Sequence, residues 1–106
     1  MKTTVSAFKK CALSFPGTEE NTHFDRIAYK ISGKRIFATI HEESQSANIK
    51  LPVADQSVFC DFSNAIYPVD NKWGLKGWTT FELEKIPEKL IFNALETAYN
   101  AVINKQ

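Results

Sequence analysis

The clearest pattern in the chain is a series of short runs in which apolar and polar side chains alternate. Three such runs follow one another between residues 26 and 51, separated only by a turn at residues 32–34 and a polar loop at residues 42–45. A period of two is typical of strands with one buried face. Because parallel neighbours need a crossover of a dozen or more residues, the short connections predict an antiparallel meander. Residues 18–25, polar and acidic, are predicted to form a loop.

Helical patterns lie at both ends of the chain. Thr3 or Thr4 is predicted to cap a first helix that stops before the Pro16-Gly17 turn. The last helix begins at Pro87-Glu88, because proline and an acidic side chain both favour a first helical turn. Its apolar stripe recurs at helical spacing and consists of Leu90, Ile91, Ala94, Leu95, Ala98 and Val102.

The remaining elements complete one domain over residues 1–106. Pro52 suits the first turn of a short helix, residues 65–69 read as a short edge strand, and residues 78–83 alternate again. This order predicts an α+β fold in which helices pack on one face of an antiparallel sheet. The opposite face is then available to solvent or to a partner.

The predicted pleat sends a set of cationic, aromatic and amide groups to that uncovered face: Arg26, Lys30, Phe37, Asn48, Lys50 and Trp78. The loop before the last strand adds Lys72, Trp73 and Lys76. Such cations can contact phosphate or carboxylate groups, and such rings can stack on bases or pack on a partner. An ordinary structural role stays open, because Lys and Arg commonly occupy exposed sheet faces, and Phe37 and Trp78 would also stabilise the sheet by pairing across strands.

Composition narrows the choice of function. The 106 residues are 43% hydrophobic and 24% charged, which is typical of a globular domain with one core. The net charge of +1 argues against a surface that is basic overall, as most nucleic-acid binders have, but allows a local basic patch. The chain shows neither a secretory signal nor an apolar run of membrane-spanning length, so we expect a cytoplasmic protein without a membrane partner.

The sequence contains no recognisable catalytic constellation or cofactor motif, so we predict that the protein is not an enzyme. Cys11 and Cys60 lie on predicted helices among apolar residues and are expected to be reduced, buried thiols. His23 lies near Glu19, Glu20 and Asp25, and His41 precedes Glu42-Glu43. Either cluster offers ligand types that bind metal ions, but neither has the spacing of a known metal motif, so no metal site is predicted.

Several segments, taken in order, resemble the MmcQ/YjbR family of small bacterial proteins. The matching residues are Leu13 to Glu20, His23-Phe24, Gly33 to Ala38, Asn48 to Pro52, Tyr67 to Val69 and Trp73 to Thr79. The resemblance implies a fold similar to frataxin-like and double-wing domains, and it implies DNA as a ligand, by analogy of fold. We therefore predict a binding module for DNA, with a protein-interaction or a small-ligand or metal-binding domain as the alternative.

Overall fold

A computed structural model describes residues 2–104, and within them it contains six strands and four α-helices. The strands are β1 (Thr18–His23), β2 (Arg26–Ile31), β3 (Ile36–His41), β4 (Ser46–Lys50), β5 (Ile66–Pro68) and β6 (Trp78–Glu82). The helices are α1 (Val5–Leu13), α2 (Val53–Cys60), α3 (Lys72–Leu75) and α4 (Glu88–Ile103), with a 3-10 turn (Leu83–Lys85) before α4. Every strand pair is antiparallel, and the strand order is β1-β2-β3-β4-β6-β5.

The three longer helices all pack on one face of this sheet, as the sequence predicts. Ring contacts tie each of them to a strand, with centroid distances of 6.1 Å for Phe8–Tyr29, 6.2 Å for Phe59–Phe81 and 5.9 Å for Phe37–Tyr99. Aromatic pairs at these distances add to the burial of apolar surface. The α+β fold with helices on one face is therefore confirmed, and we call the helix-free side of the sheet its uncovered face.

Both terminal helices follow the predicted signals. The Thr4 hydroxyl accepts a hydrogen bond from the Ala7 backbone N–H (3.0 Å) and so caps α1. Along α4 the predicted stripe is inside: Ile91, Ala94, Leu95 and Ala98 are buried, and Leu90 and Val102 pack against the core. Within residues 2–104, no helix is both long enough and apolar enough to cross a membrane.

The prediction of a loop at residues 18–25 is wrong. Residues Thr18–His23 form β1, which pairs with β2 without interruption from Thr18↔Ile31 to His23↔Arg26. The strand lies at the edge of the sheet, and all but one of its residues are exposed. Since almost none of β1 is buried, its sequence lacks the alternation by which a strand is recognised. Backbone pairing with β2 holds the strand, together with the hydrogen bond that the Tyr29 hydroxyl donates to Glu20.

The predicted direction of two side chains in β3 is also wrong, because a β-bulge shifts the register. Tyr29 pairs with Ala38, whereas the next residue, Lys30, pairs with Ile36, so Phe37 is the extra residue. As a result Phe37 points into the core, where it is fully buried against Tyr99. Ile36 takes the place expected for Phe37 on the uncovered face, with 39% of its surface exposed.

Candidate ligand-binding site

A depression of about 500 Å³ lies on the uncovered face, and we call it the outer groove. It is lined by His23, Arg26, Ile36, Thr39, Asn48, Val69, Asn71, Trp73 and Trp78. Four of these are predicted site residues: Arg26, Asn48, Trp73 and Trp78. The groove crosses strands β1, β2, β3, β4 and β6 and ends against the segment that joins β5 to β6, so it is built mainly on rigid sheet.

The floor of the groove is a row of polar side chains across the central strands. The antiparallel register places Thr39 opposite Asn48 and Asn48 opposite Thr80. The Thr80 hydroxyl donates to Asn48 Oδ1 (2.8 Å), which fixes the orientation of the amide. The amide nitrogen of Asn48 makes no hydrogen bond to any residue between 2 and 104, so it offers two donors to a ligand in the groove.

Arg26 supplies the positive charge of the groove. Its Nε donates to the Thr39 hydroxyl (2.9 Å), which holds the guanidinium against the sheet. Its Nη2 is buried and has no hydrogen-bond partner among the described residues. Burial lowers the pKa of Arg26, and the charge of Asp25 opposes that shift. The Asp25 carboxylate contacts His41 Nε2 (3.2 Å). Among the described residues, no atom accepts a hydrogen bond from Nη2 of Arg26.

The two tryptophans form the aromatic wall, and a buried glutamine fixes the loop that carries one of them. Trp78 begins β6, and Trp73 lies on α3 with 49% of its surface exposed. From α2, the Gln56 amide nitrogen lies within hydrogen-bond distance of Gly74 O (3.0 Å), Trp78 O (3.2 Å) and Thr79 Oγ1 (3.1 Å). Since Gln56 is buried, these contacts secure the aromatic wall to the helical layer.

Two glycines allow the same loop to approach the rest of the chain closely. A Cβ atom on Gly74 would lie 2.1 Å from the carbonyl oxygen of Val69, and one on Gly77 would lie 1.8 Å from that of Leu51. Gly77 also has a φ of +107°, which disfavours any other residue. At Gly74 and at Gly77 the loop backbone therefore contacts another backbone segment where no side chain would fit. These two contacts set the position of Trp73 and Trp78.

A second, smaller depression of about 240 Å³ adjoins the outer groove, and we call it the basic notch. It is lined by Arg35, Ile36, Lys50, Leu51, Pro52, Lys76, Ala98, Ala101 and Val102. Three connections join the two depressions. Ile36 lines both, Lys50 pairs across strands with Trp78, and Lys76 Nζ lies 5.2 Å from the centre of the Trp73 ring, close enough for a cation–π interaction.

The predicted site residues are thus only partly brought together. Phe37 belongs to the core, which corrects its predicted place on the uncovered face. Lys30 points to the uncovered face next to Ile36 but lines neither depression, and Lys72 is exposed on α3 outside both. The remaining predicted cations, Lys50 and Lys76, line the basic notch.

Sequence reasoning missed several lining residues, mainly Ile36, Thr39, Asn71, Val69 and Arg35. The alternation in β3 also directs Thr39 and Arg35 outward, but neither was chosen as a site residue. Asn71 carries a local signal, because its Oδ1 accepts from the Trp73 backbone N–H (2.8 Å) and caps α3. Ile36 had no signal, since the bulge that turns it outward lies within three consecutive apolar residues.

The histidines and cysteines do not assemble into a reactive or metal-binding group. Among the residues that the structure describes, no three His, Cys, Asp or Glu side chains lie together as metal ligands. His23 lines the outer groove, while His41 contacts Asp25 and Ser44. Cys11 and Cys60 are free, half-buried thiols, and burial raises the pKa of each, which weakens them as nucleophiles.

Comparisons with known proteins agree with the fold. No curated protein is similar enough in sequence to count as a match. Among solved structures, the Deinococcus radiodurans protein DR2400, with the family-model domain DUF419, superposes with a TM-score of 0.82 at 21% sequence identity. The superposition covers 98% of this chain and 81% of that one, and it shows a shared fold. The YjbR family profile matches residues 13–101, and this chain therefore belongs to the YjbR family.

Proposed function

We propose that this protein is a non-catalytic binding module that holds nucleic acid in the outer groove, with single-stranded DNA as its foremost candidate ligand. The observation that carries the proposal is the combination of two accessible tryptophan rings with an arginine side chain, all lining one groove. We place this function in the bacterial cytoplasm, as the sequence predicts.

The aromatic wall favours unpaired bases over a duplex. Bases inside a duplex are stacked on one another, whereas those of a single strand can stack on aromatic side chains. Such stacking contributes roughly 1–3 kcal/mol per base and depends little on sequence. Trp73 and Trp78 face one depression and keep exposed surface, so a base can reach them.

The polar groups of the groove complement a nucleotide. A phosphate in the groove would be attracted by the positive charge of Arg26, whose guanidinium is held against the sheet by Thr39. The free amide donors of Asn48 suit the carbonyl and ring-nitrogen acceptors of bases. With a net charge of only +1, the affinity depends on this local arrangement rather than on the long-range attraction that drives most duplex binding.

A non-catalytic role is supported by the chemistry of the groove. Its ionisable side chains are Arg26 and His23. The Thr39 hydroxyl accepts a hydrogen bond from Arg26, which stays protonated and is no general base. The two thiols are absent from its lining, and their raised pKa values make them weak nucleophiles. Binding, rather than bond cleavage, is what this set of groups does best.

The test is a fluorescence-anisotropy titration of a short labelled single-stranded DNA at low and moderate salt, with duplex of the same sequence alongside. We expect single-stranded DNA to bind more tightly than duplex and its affinity to fall with salt. Trp78→Ala should weaken binding about 5- to 100-fold, which corresponds to the loss of one stacked base. Phe62→Ala is the matched control, since it removes an exposed ring on another surface. Folded protein that binds neither DNA at low salt would exclude the proposal.

A small organic anion is the second candidate. The volume of the outer groove, about 500 Å³, lies within the usual range for small-molecule sites. The same titration separates the two, because a small-ligand module would leave DNA unbound while single nucleotides or aromatic carboxylates still quench Trp78 fluorescence.

A further inference from the structure

We propose that Asn48 reads one base of the bound strand and selects guanine over adenine. The inference rests on the proposed function, since it concerns the single strand that the outer groove would hold. Asn48 lies on β4, with Thr39 of β3 opposite it on one side and Thr80 of β6 on the other. It is therefore the middle residue of the polar floor of the groove.

The side chain of Asn48 has more unused donors than unused acceptors. The Thr80 hydroxyl donates to its Oδ1 (2.8 Å), whereas neither N–H of Nδ2 is used within residues 2–104. In that part of the chain, the buried side-chain nitrogens and oxygens without a partner are Thr18 Oγ1 and Arg26 Nη2. The unpaired Nδ2 of Asn48 is therefore accessible to solvent, and it is the end of the amide that a ligand can reach.

The polar groups around Asn48 also favour a ligand edge that consists of acceptors. Thr39 Oγ1 accepts from Arg26 Nε (2.9 Å), and Asn71 Oδ1 accepts from the Trp73 backbone N–H (2.8 Å). The nine residues that line the groove, all within residues 2–104, include no acidic side chain. The side-chain oxygens of this lining are thus already hydrogen-bonded inside the protein, while amide N–H donors remain.

A base stacked on Trp78 would have its edge beside Asn48. Trp78 lies two residues before Thr80 on β6, so it points to the same face and is a diagonal neighbour of Asn48. Diagonal neighbours on adjacent strands lie about 7–8 Å apart, a distance within the reach of aromatic side chains. Trp78 then supplies the stacking surface, and Asn48 supplies donors at the edge of the base.

Guanine has the edge that matches these donors. It presents two adjacent acceptors, N7 and O6, whereas adenine presents the N7 acceptor beside the N6 donor. Asparagine reads adenine with both ends of its amide, donating to N7 and accepting from N6. In Asn48 the Thr80 hydroxyl already bonds the oxygen, so adenine would bring its N6 donor toward the donors of Nδ2. Because stacking depends little on the base, hydrogen bonding decides between the two purines.

The test compares anisotropy titrations of four short labelled oligothymidines that differ only in one central base. The four central bases are guanine, adenine, hypoxanthine and 7-deazaguanine. We expect guanine to bind about tenfold more tightly than adenine. Hypoxanthine keeps N7 and O6 and should bind like guanine. In 7-deazaguanine a C–H group replaces N7, so affinity should fall about threefold through one lost hydrogen bond.

Variants of both residues test the source of this preference. Asn48→Thr introduces a hydroxyl that can donate or accept, so the ratio of guanine to adenine affinity should fall to about one. Thr80→Val keeps a β-branched side chain suited to a strand but releases the amide oxygen, so adenine should bind more tightly and the ratio should fall. Thr80→Ser restores a hydroxyl and should restore the ratio. Thr22→Val, the same change in an exposed strand residue that lines neither depression, should leave the ratio unchanged.

The outcomes separate this inference from the proposed function. Equal affinity for guanine and adenine, with all four oligonucleotides bound, would overturn the role of Asn48 and leave the proposed function in place. A guanine preference that persists in Asn48→Thr, or tighter binding of guanine than of hypoxanthine, would show that another group reads the base and would also overturn it. Folded protein that binds none of the four would overturn the inference and the proposed function together.

Discussion

The same strands present two faces that differ in the burial and the hydrogen bonding of their side chains. On the covered face, Tyr29, Phe37, Ile49 and Phe81 are fully buried, and the hydroxyl of Tyr29 donates to Glu20 (2.7 Å). On the uncovered face, Arg26 has a buried nitrogen without a partner. Buried polar groups are almost always paired, and among the described residues each face has one exception: the Thr18 hydroxyl, opposite Ile31 on the covered side, and Nη2 of Arg26 on the uncovered side. Of these two residues, Arg26 lines the outer groove and Thr18 does not.

This difference also explains why the β-bulge matters for function. Because of the extra residue, Phe37 points to the core and Ile36 points to the groove. One bulge therefore places an apolar side chain on each face of the sheet. The bulge leaves Ile36 as an apolar residue that lines both the outer groove and the basic notch. Bulges are commonly found next to binding sites because they redirect side chains in this way.

The largest expected effect comes from breaking the covered face at the bulge. Phe37→Ala should lower the free energy of unfolding by about 3–5 kcal/mol, since it empties a fully buried ring position. Ile36→Ala, the adjacent control, should cost about 1 kcal/mol or less, because its side chain is 39% exposed. Urea denaturation measures both. A larger loss for Ile36→Ala than for Phe37→Ala would show that the bulge is misplaced.

A smaller loss of stability is expected at Gln56, which connects helix α2 to the loop that carries the aromatic wall. Gln56→Leu removes the amide that reaches Gly74, Trp78 and Thr79, and we expect a loss of stability of about 1–3 kcal/mol. Because the loop would then hold Trp73 less firmly, ligand affinity should fall as well. Denaturation and the DNA titration provide the two measurements.

Ser57→Ala on the same helix is the control, since the exposed Ser57 hydroxyl makes no hydrogen bond within residues 2–104. It should change neither stability nor affinity by a measurable amount. Unchanged affinity in Gln56→Leu, despite reduced stability, would mean that the loop position does not depend on this contact.

The covered face was accessible to sequence reasoning because burial imposes a pattern. Alternation in β2, β4 and β6 and the stripe of α4 placed most core residues correctly, and family resemblance agreed. The same logic fails at β1, which buries almost nothing, and at β3, where Ile36, Phe37 and Ala38 are all apolar and fit either direction. Pattern predicts structure only where the environment of the two faces differs.

The site was less predictable because it depends on convergence in space. Arg26, Asn48, Trp73 and Trp78 could be chosen from their type and predicted face, and the groove does contain them. The basic notch is lined by cations from three separate parts of the chain, and no spacing in the sequence predicts that they line one depression. Lys30 and Lys72 show the opposite error. Both are cations that were predicted to belong to the site, but they line neither depression.

The smallest expected effect is a change in the pKa of Glu82, whose carboxylate is already hydrogen-bonded within the uncovered face. Tyr67 donates to Glu82 Oε2 (2.7 Å), and this hydrogen bond, with help from Lys85, lowers the pKa of Glu82. A carboxyl whose pKa is lowered by folding stabilises the protein above its unfolded pKa and loses that contribution as the pH falls through the folded value. The pair should therefore break only under acidic conditions, below the ordinary pKa of a glutamate.

Tyr67→Phe should accordingly raise the pKa of Glu82 toward its ordinary value, as measured by an NMR titration of the Glu82 side chain. Tyr99→Phe, whose hydroxyl donates to Pro16 O near the covered face, is the control and should leave that titration unchanged. Glu82 and Arg26 both lie on the uncovered face, but the Glu82 carboxylate has a hydrogen-bond donor, whereas Nη2 of Arg26 has no acceptor among the described residues. The titration tests the first half of that contrast. An unshifted pKa of Glu82 in Tyr67→Phe would show that the hydroxyl does not hold this carboxylate.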